Sequence, residues 1–213
     1  MSILRWLIFV AVAKPFAYLV LGFNVKNRAR LVRQGPAIVV ANHNSHLDTL
    51  LLYVLFPARL LPKLHPVAAA DYFFKTPLLR WVSLNIIGIM PIARGIQARG
   101  DLLKPLRAAL ARGEILFIFP EGSRGEPERM AELKSGVARL AEEMPEIPIV
   151  PVFLWGAGRS LPKGSRLFVP YRCAGAVGEA FCWTGDRKSF MAKLKETFEA
   201  LAGEIPGRVP ADD

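Results

Sequence analysis

Two histidines, two asparagines, a serine and an aspartate share the stretch NHNSHLD, residues 42–48, between the apolar runs AIVVA and TLLLYVL. A neutral imidazole is an effective base near pH 7. A carboxylate on its other ring nitrogen fixes the tautomer and stabilises the imidazolium that forms. His43 precedes the expected helix and Asp48 falls in its first turn, so a reversal of the chain brings the two together. His46 is two residues from Asp48, points elsewhere, and reads as a pocket-wall or surface residue. Ser45 and Asp48 also fit a capping box in its acidic form. That reading explains those two residues without catalysis, and leaves Asn42 and His43 unexplained.

The second stretch is FPEGSRG, residues 119–125, directly after the apolar run EILFIF. A strand entering a Gly-rich turn with an arginine aims backbone N–H groups and a guanidinium at one place, which suits a phosphate. Ser123 is not the nucleophile of a G-x-S-x-G elbow, because position 121 is Glu. PEGSRG alone is also ordinary turn chemistry. No metal site is expected, since no ligand cluster has suitable spacing.

The elements that must position these residues alternate. AIVVA (37–41), IGIMPIA (87–93), EILFIF (114–119) and IPIVPVFL (147–154) read as buried strands, and helical patterns cover about 45–56, 75–85, 96–112, 131–144 and 187–202. This order predicts an α/β fold with a mostly parallel central sheet flanked by helices. Both motifs then lie at strand ends, where sites gather. Residues 156–179 add a strand or two, RLFVP and GAVGEAF, toward the sheet edge, and His65 reads as loop.

Composition bounds the partners. The 213 residues are 52% hydrophobic and 22% charged, enough for one domain with a sizeable core. The net charge of +10 attracts phosphate-bearing partners, either nucleic acid or anionic membrane. The basic residues are scattered without a nucleic-acid-binding pattern, and a mean hydropathy of +0.28 favours membrane over nucleic acid. Cys173 and Cys182 are too far apart in the chain for a metal or redox pair and read as structural thiols.

Residues 1–23 read as a membrane-associated segment and 24–213 as a single domain. Arg5, Lys14 and Pro15 interrupt the apolar run, so an interfacial or re-entrant helix fits better than a clean crossing. Trp6, Phe9, Phe16 and Tyr18 would sit at the apolar boundary with Lys14 snorkelling outward. A buried core helix is the alternative. The segment 71–88, with Tyr72, Phe73, Phe74 and Trp81 beside Lys75 and Arg80, suits the headgroup boundary.

NHxxxxD followed by FPEGSR, with GIMPIAR (88–94) and IVPV (149–152) in the same order, resembles the lysophospholipid acyltransferase family, of which 1-acyl-glycerol-3-phosphate acyltransferase is the bacterial type. The resemblance implies His43 as general base, Asp48 as its orienting carboxylate, and a glycerophosphate site at Arg94, Glu121, Gly122, Ser123 and Arg124. Ser123 replaces the family's usual threonine, and Pro151 falls on the acyl-donor side. Lys134 and Gly136 occupy the place of a basic-Gly pair seen in many relatives.

It further implies transfer of a fatty acyl group from acyl-carrier protein or coenzyme A thioester to a lysophospholipid hydroxyl, without cofactor or acyl-enzyme. The setting would be the cytoplasmic face of the inner membrane. A thioesterase would leave the phosphate-binding arginines without purpose, and a non-enzymatic lipid-binding protein would leave His43 dispensable.

Overall fold

The computed structural model describes residues 3–70, 76–92, 101–165 and 167–205. Seven strands form one sheet: β1 (Asn24–Lys26), β2 (Ala37–Ala41), β3 (Leu64–Ala69), β4 (Met90–Ile92), β5 (Ile115–Ile118), β6 (Ile149–Trp155) and β7 (Ala174–Val177). Their order is β1-β7-β6-β2-β5-β3-β4, and every neighbouring pair is parallel except β6–β7. The expected α/β fold with a mostly parallel sheet is therefore the one observed.

The central strands explain the layering. Every residue of β2 and β6 is buried, so both read as unbroken apolar runs rather than as alternating ones. Their side chains still alternate between two clusters. Val39, Phe117 and Val152 point into one, Ile38, Leu116 and Phe153 into the other.

The first cluster is covered by α1 (Ile3–Val20) and α2 (Leu47–Leu55), the second by α4 (Lys104–Ala111), α5 (Gly136–Glu143) and α7 (Arg187–Gly203). The helix α3 (Pro77–Ile87) precedes β4, and a short α6 (Ala157–Ser160) follows β6.

The N-terminal helix α1 is long and apolar enough to cross a membrane by length and composition. Pro15 has no N–H to give the preceding turn, and π-type turns at Phe9–Ala13 and Phe16–Val20 flank it. Phe9, Ala17 and Leu21 belong to the first core cluster, while Ile3, Leu7, Val12 and Leu19 face outward. Arg5 is directed into the protein, where Nη2 donates to the Tyr53 hydroxyl at 3.1 Å and to the carbonyls of Leu64 and Ile87 at 3.3 and 3.1 Å. A Cβ at Gly88, φ +77°, would lie 2.6 Å from that guanidinium, so only glycine fits there. Phe9 is buried against Tyr53 rather than at the apolar boundary, and Lys14 lies 5.3 Å from the centre of its ring.

Other expectations are corrected. His65 is in strand β3, not a loop. Its Nδ1 faces the Gly88 carbonyl at 3.1 Å and its Nε2 lies 3.3 Å from the Glu114 carboxylate, at the opposite end of the sheet from the NHNSHLD segment. Residues 131–135 are not helical, because Ala131 N–H is taken by Glu121 Oε2 and Lys134 N–H by the Pro120 carbonyl. The segment RLFVP forms no strand among its described residues 167–170. Cys173 is buried but Cys182 is exposed, so only the first is a core thiol. Tyr72, Phe73, Phe74 and Lys75 lie outside the described residues, whereas Trp81 is half-exposed on α3.

Candidate active site

Two loops meet beyond the C-terminal ends of the adjacent strands β2 and β5, against the end of β6. The first follows β2, where the Asn42 side chain takes over the ladder. Its Nδ2 donates to the Leu154 carbonyl at 2.8 Å and its Oδ1 accepts from Leu154 N–H at 2.7 Å. A buried amide that satisfies both backbone groups of the neighbouring strand locks the point at which the chain leaves the sheet.

His43 comes next. Its Nδ1 is 3.0 Å from Asp48 Oδ2, its ring stacks on Phe119 with centroids 4.0 Å apart, and its side chain is 16% exposed. The same Asp48 oxygen accepts from the N–H groups of Asn44 and Ser45, each at 2.7 Å. Asp48 thus joins the two readings of NHNSHLD, since it reaches back to Ser45 N–H as a capping box does and also holds the imidazole. Ser45 departs from the box. Its hydroxyl accepts from Leu47 N–H at 3.2 Å and donates to the Leu161 carbonyl at 2.8 Å. With Nδ1 committed to Asp48, Nε2 is the nitrogen able to take up a proton.

The second loop is FPEGSRG. Glu121 is 2% exposed, and its two oxygens accept from His43 N–H at 2.7 Å and Ala131 N–H at 3.0 Å. Burial pushes this carboxyl up to about 7, outweighing the two amides that favour the anion, and Asp48 adds to the rise. Glu121 is therefore tied to the frame of the site.

Gly122 is left-handed, φ +73°, and a Cβ there would lie 3.0 Å from Lys134 Nζ, so the lysine lies across the turn. Ser123 is exposed and Arg124 half-buried. His46 stands immediately before α2 with part of its surface open to solvent; desolvation of the remainder, then Arg124 and His43, hold it down to about 4 against the pull of Asp48. It is neutral at physiological pH. Arg94 lies outside the described residues.

Residues 125–131 continue this second loop, and sequence reasoning missed their role. Gly125 N–H donates to the His43 carbonyl at 2.9 Å, and Asn44 Nδ2 donates to the carbonyls of Glu126 and Arg129. Glu128, at φ +61°, accepts from Gly156 N–H at 3.1 Å through both carboxylate oxygens. Burial raises its pKa, which the Gly156 amide and Arg159 oppose. The polar Asn42 at the end of an apolar run was a readable signal. Glu128 had none, since its partner is 28 residues away. Among the described residues no three His, Cys, Asp or Glu side chains come together as a metal site would require.

Residues 22–155 match the family model described as Acyltransferase. The chain belongs to the acyltransferase family. A chloroplastic 1-acyl-sn-glycerol-3-phosphate acyltransferase of Arabidopsis thaliana, LPAT1, is 31% identical over 62% of this chain and 35% of its own length. The human 1-acyl-sn-glycerol-3-phosphate acyltransferase beta is 28% identical over 71% of this chain and 51% of its own. This family member thus spans between about a third and a half of the length of those relatives.

The crystal structure of the 1-acyl-sn-glycerophosphate (LPA) acyltransferase PlsC from Thermotoga maritima superposes with a TM-score of 0.74 at 19% identity. It covers 96% of this chain and 82% of that one, a likeness of fold.

Proposed function

We propose that the chain is a 1-acylglycerol-3-phosphate O-acyltransferase, moving a fatty acyl group from acyl-carrier protein or coenzyme A to the free hydroxyl of the lysophospholipid and yielding phosphatidic acid. The observation that carries the reading is the His43–Asp48 contact at 3.0 Å, held beside the 119–125 turn by Glu121. The names of the relatives support the acceptor. His43 Nε2 takes the hydroxyl proton as that oxygen attacks the thioester carbonyl carbon. The tetrahedral intermediate collapses, the C–S bond breaks, and the leaving sulfur receives the proton from the imidazolium. Asp48 keeps Nδ1 protonated and stabilises the cation.

Arg124 and Lys134, with Arg94, bind the acceptor phosphate in this reading. Ser123 and Gly122 shape the turn, and Glu121 positions His43 through its amide. The outward apolar face of α1 rests in the bilayer interface on the cytoplasmic side of the inner membrane, so the lipid acceptor reaches the site without complete extraction into water, which costs about 0.8 kcal/mol per CH₂.

Thiol release from acyl-carrier protein and coenzyme A thioesters, measured with lysophosphatidic acid, with unphosphorylated monoacylglycerol and without acceptor, tests the reading. Release that requires the phosphorylated acceptor and yields phosphatidic acid is expected. Equal release without acceptor would make the protein a thioesterase.

A further inference from the structure

The far end of α2 carries a concentration of charge that acyl transfer leaves unused. A groove of about 480 Å³ is lined by Lys14, Arg28, Arg33 and Arg59 over an apolar floor that includes Leu55 and Phe56. Among the described residues no carboxylate lines it and none of the four cations takes part in an ion pair.

Arg28 is fixed in place. Its Nε and Nη2 donate to the Leu55 carbonyl at 3.1 and 2.8 Å, closing the C-terminus of α2, and its Nη1 donates to the Tyr18 hydroxyl at 3.2 Å. Arg33 and Arg59 are exposed. Like charges gathered in one concavity repel each other unless an anion joins them, and arginine forks match the geometry of phosphate oxygens.

Two further observations select the anion. Lys14 belongs to α1, an apolar helix with Ile3 and Leu19 largely exposed, so one wall of the groove is carried by that helix. An acidic carrier protein would call for a broad basic face instead. Along α2, Leu55 at the groove lies roughly 10 Å from Asp48, at about 1.5 Å of rise per residue. The groove is thus distinct from the 119–125 turn.

We propose that this groove binds the phosphate headgroup of an anionic phospholipid of the bilayer and so sets how α1 lies on the membrane. The inference rests on the membrane reading given above and not on the chemistry at His43.

Co-flotation of the full chain with vesicles of phosphatidylcholine alone, and of phosphatidylcholine doped with phosphatidylglycerol, tests it. Each basic residue at an anionic surface contributes roughly fivefold in partitioning. Arg33→Gln with Arg59→Gln should therefore reduce the preference for the doped vesicles by about 25-fold, while Lys188→Gln with Lys195→Gln, the same loss of charge on α7, leaves it unchanged. Equal losses in the two pairs would reduce the effect to diffuse charge and overturn the groove, as would no loss in either. An intact lipid preference with a raised KM for acyl-carrier-protein thioester alone would make the groove a protein-docking face and overturn the proposal as well. Wild-type protein that floats with neither vesicle defeats the membrane reading itself. Wild type that floats equally with both defeats only the groove.

Discussion

The two faces of the sheet are built alike inside and differently outside. Over the second cluster the covering helices show charge to the surroundings, with Arg107 paired to Asp101 and Glu143, Arg187 to Glu142 and Lys195 to Glu199. Over the first cluster the outermost helix shows Ile3, 78% exposed, with Leu7, Val12 and Leu19, and α3 adds Leu78 and Trp81. Apolar surface left in water forgoes about 25 cal/mol per Å², and a contiguous apolar patch marks an interaction surface. By contrast with α7, α1 therefore has two apolar sides, one packed on the core and one left exposed. The site belongs to this face, since Phe119 beneath His43 packs on the first cluster and Asp48 lies on α2.

The largest expected effect breaks the chemistry while leaving the faces intact. His43→Ala should lower acyl transfer by about 10²- to 10⁴-fold with thermal stability and vesicle association nearly unchanged, as thiol release, thermal denaturation and flotation would show. A loss under tenfold would move the reaction away from His43.

Asp48→Asn comes next, with an expected fall in turnover on the order of 10²-fold. It should also cost about 1–3 kcal/mol of stability, because one buried oxygen serves Asn44 N–H, Ser45 N–H and His43. Full activity with a lowered Tm would reduce Asp48 to a helix cap.

Glu121 gives a pH signature of similar or smaller size. Its pKa in the fold is about 7 against an ordinary 4.5, so the native state holds more protons than the unfolded chain between those values. The stability it contributes is complete below about pH 4.5 and is lost as pH rises through 7. Tm measured across that window should decline in the wild type and flatten in Glu121→Gln. An unchanged slope would assign the decline to other groups.

The smallest effect compares the outer surfaces directly. Leu19→Glu on α1 and Lys195→Ala on α7 should each shift stability by no more than about 0.5 kcal/mol, both being exposed. Only Leu19→Glu should weaken vesicle association. Equal behaviour of the two would mean that both faces meet water.

Much of the fold was legible in the chain because buried parallel strands are written as unbroken apolar runs. β2 and β5 fell within the expected segments, and β6 and α7 each overran the expected end by one residue. β1 and β3 were missed. Asn24–Lys26 is a strand only through its pairing with β7, and Leu64–Ala69 carries His65 and Pro66 inside its run. The helix expected from 131 begins at Gly136, because the loop takes the N–H groups that a helical turn would have used.

By itself the sequence determined the parallel layering and the meeting of His43 with Asp48, five positions apart across a helix start, where the local backbone leaves the two side chains little choice. Only the tertiary structure decided that Asn42 grips Leu154, that Glu121 holds the amide of His43, that Glu128 reaches Gly156, and that Arg5 turns inward to three partners. Periodicity encodes which side of an element is buried. The partner of a buried donor or acceptor is set by where the sheet order brings distant segments, and no spacing along the chain records that.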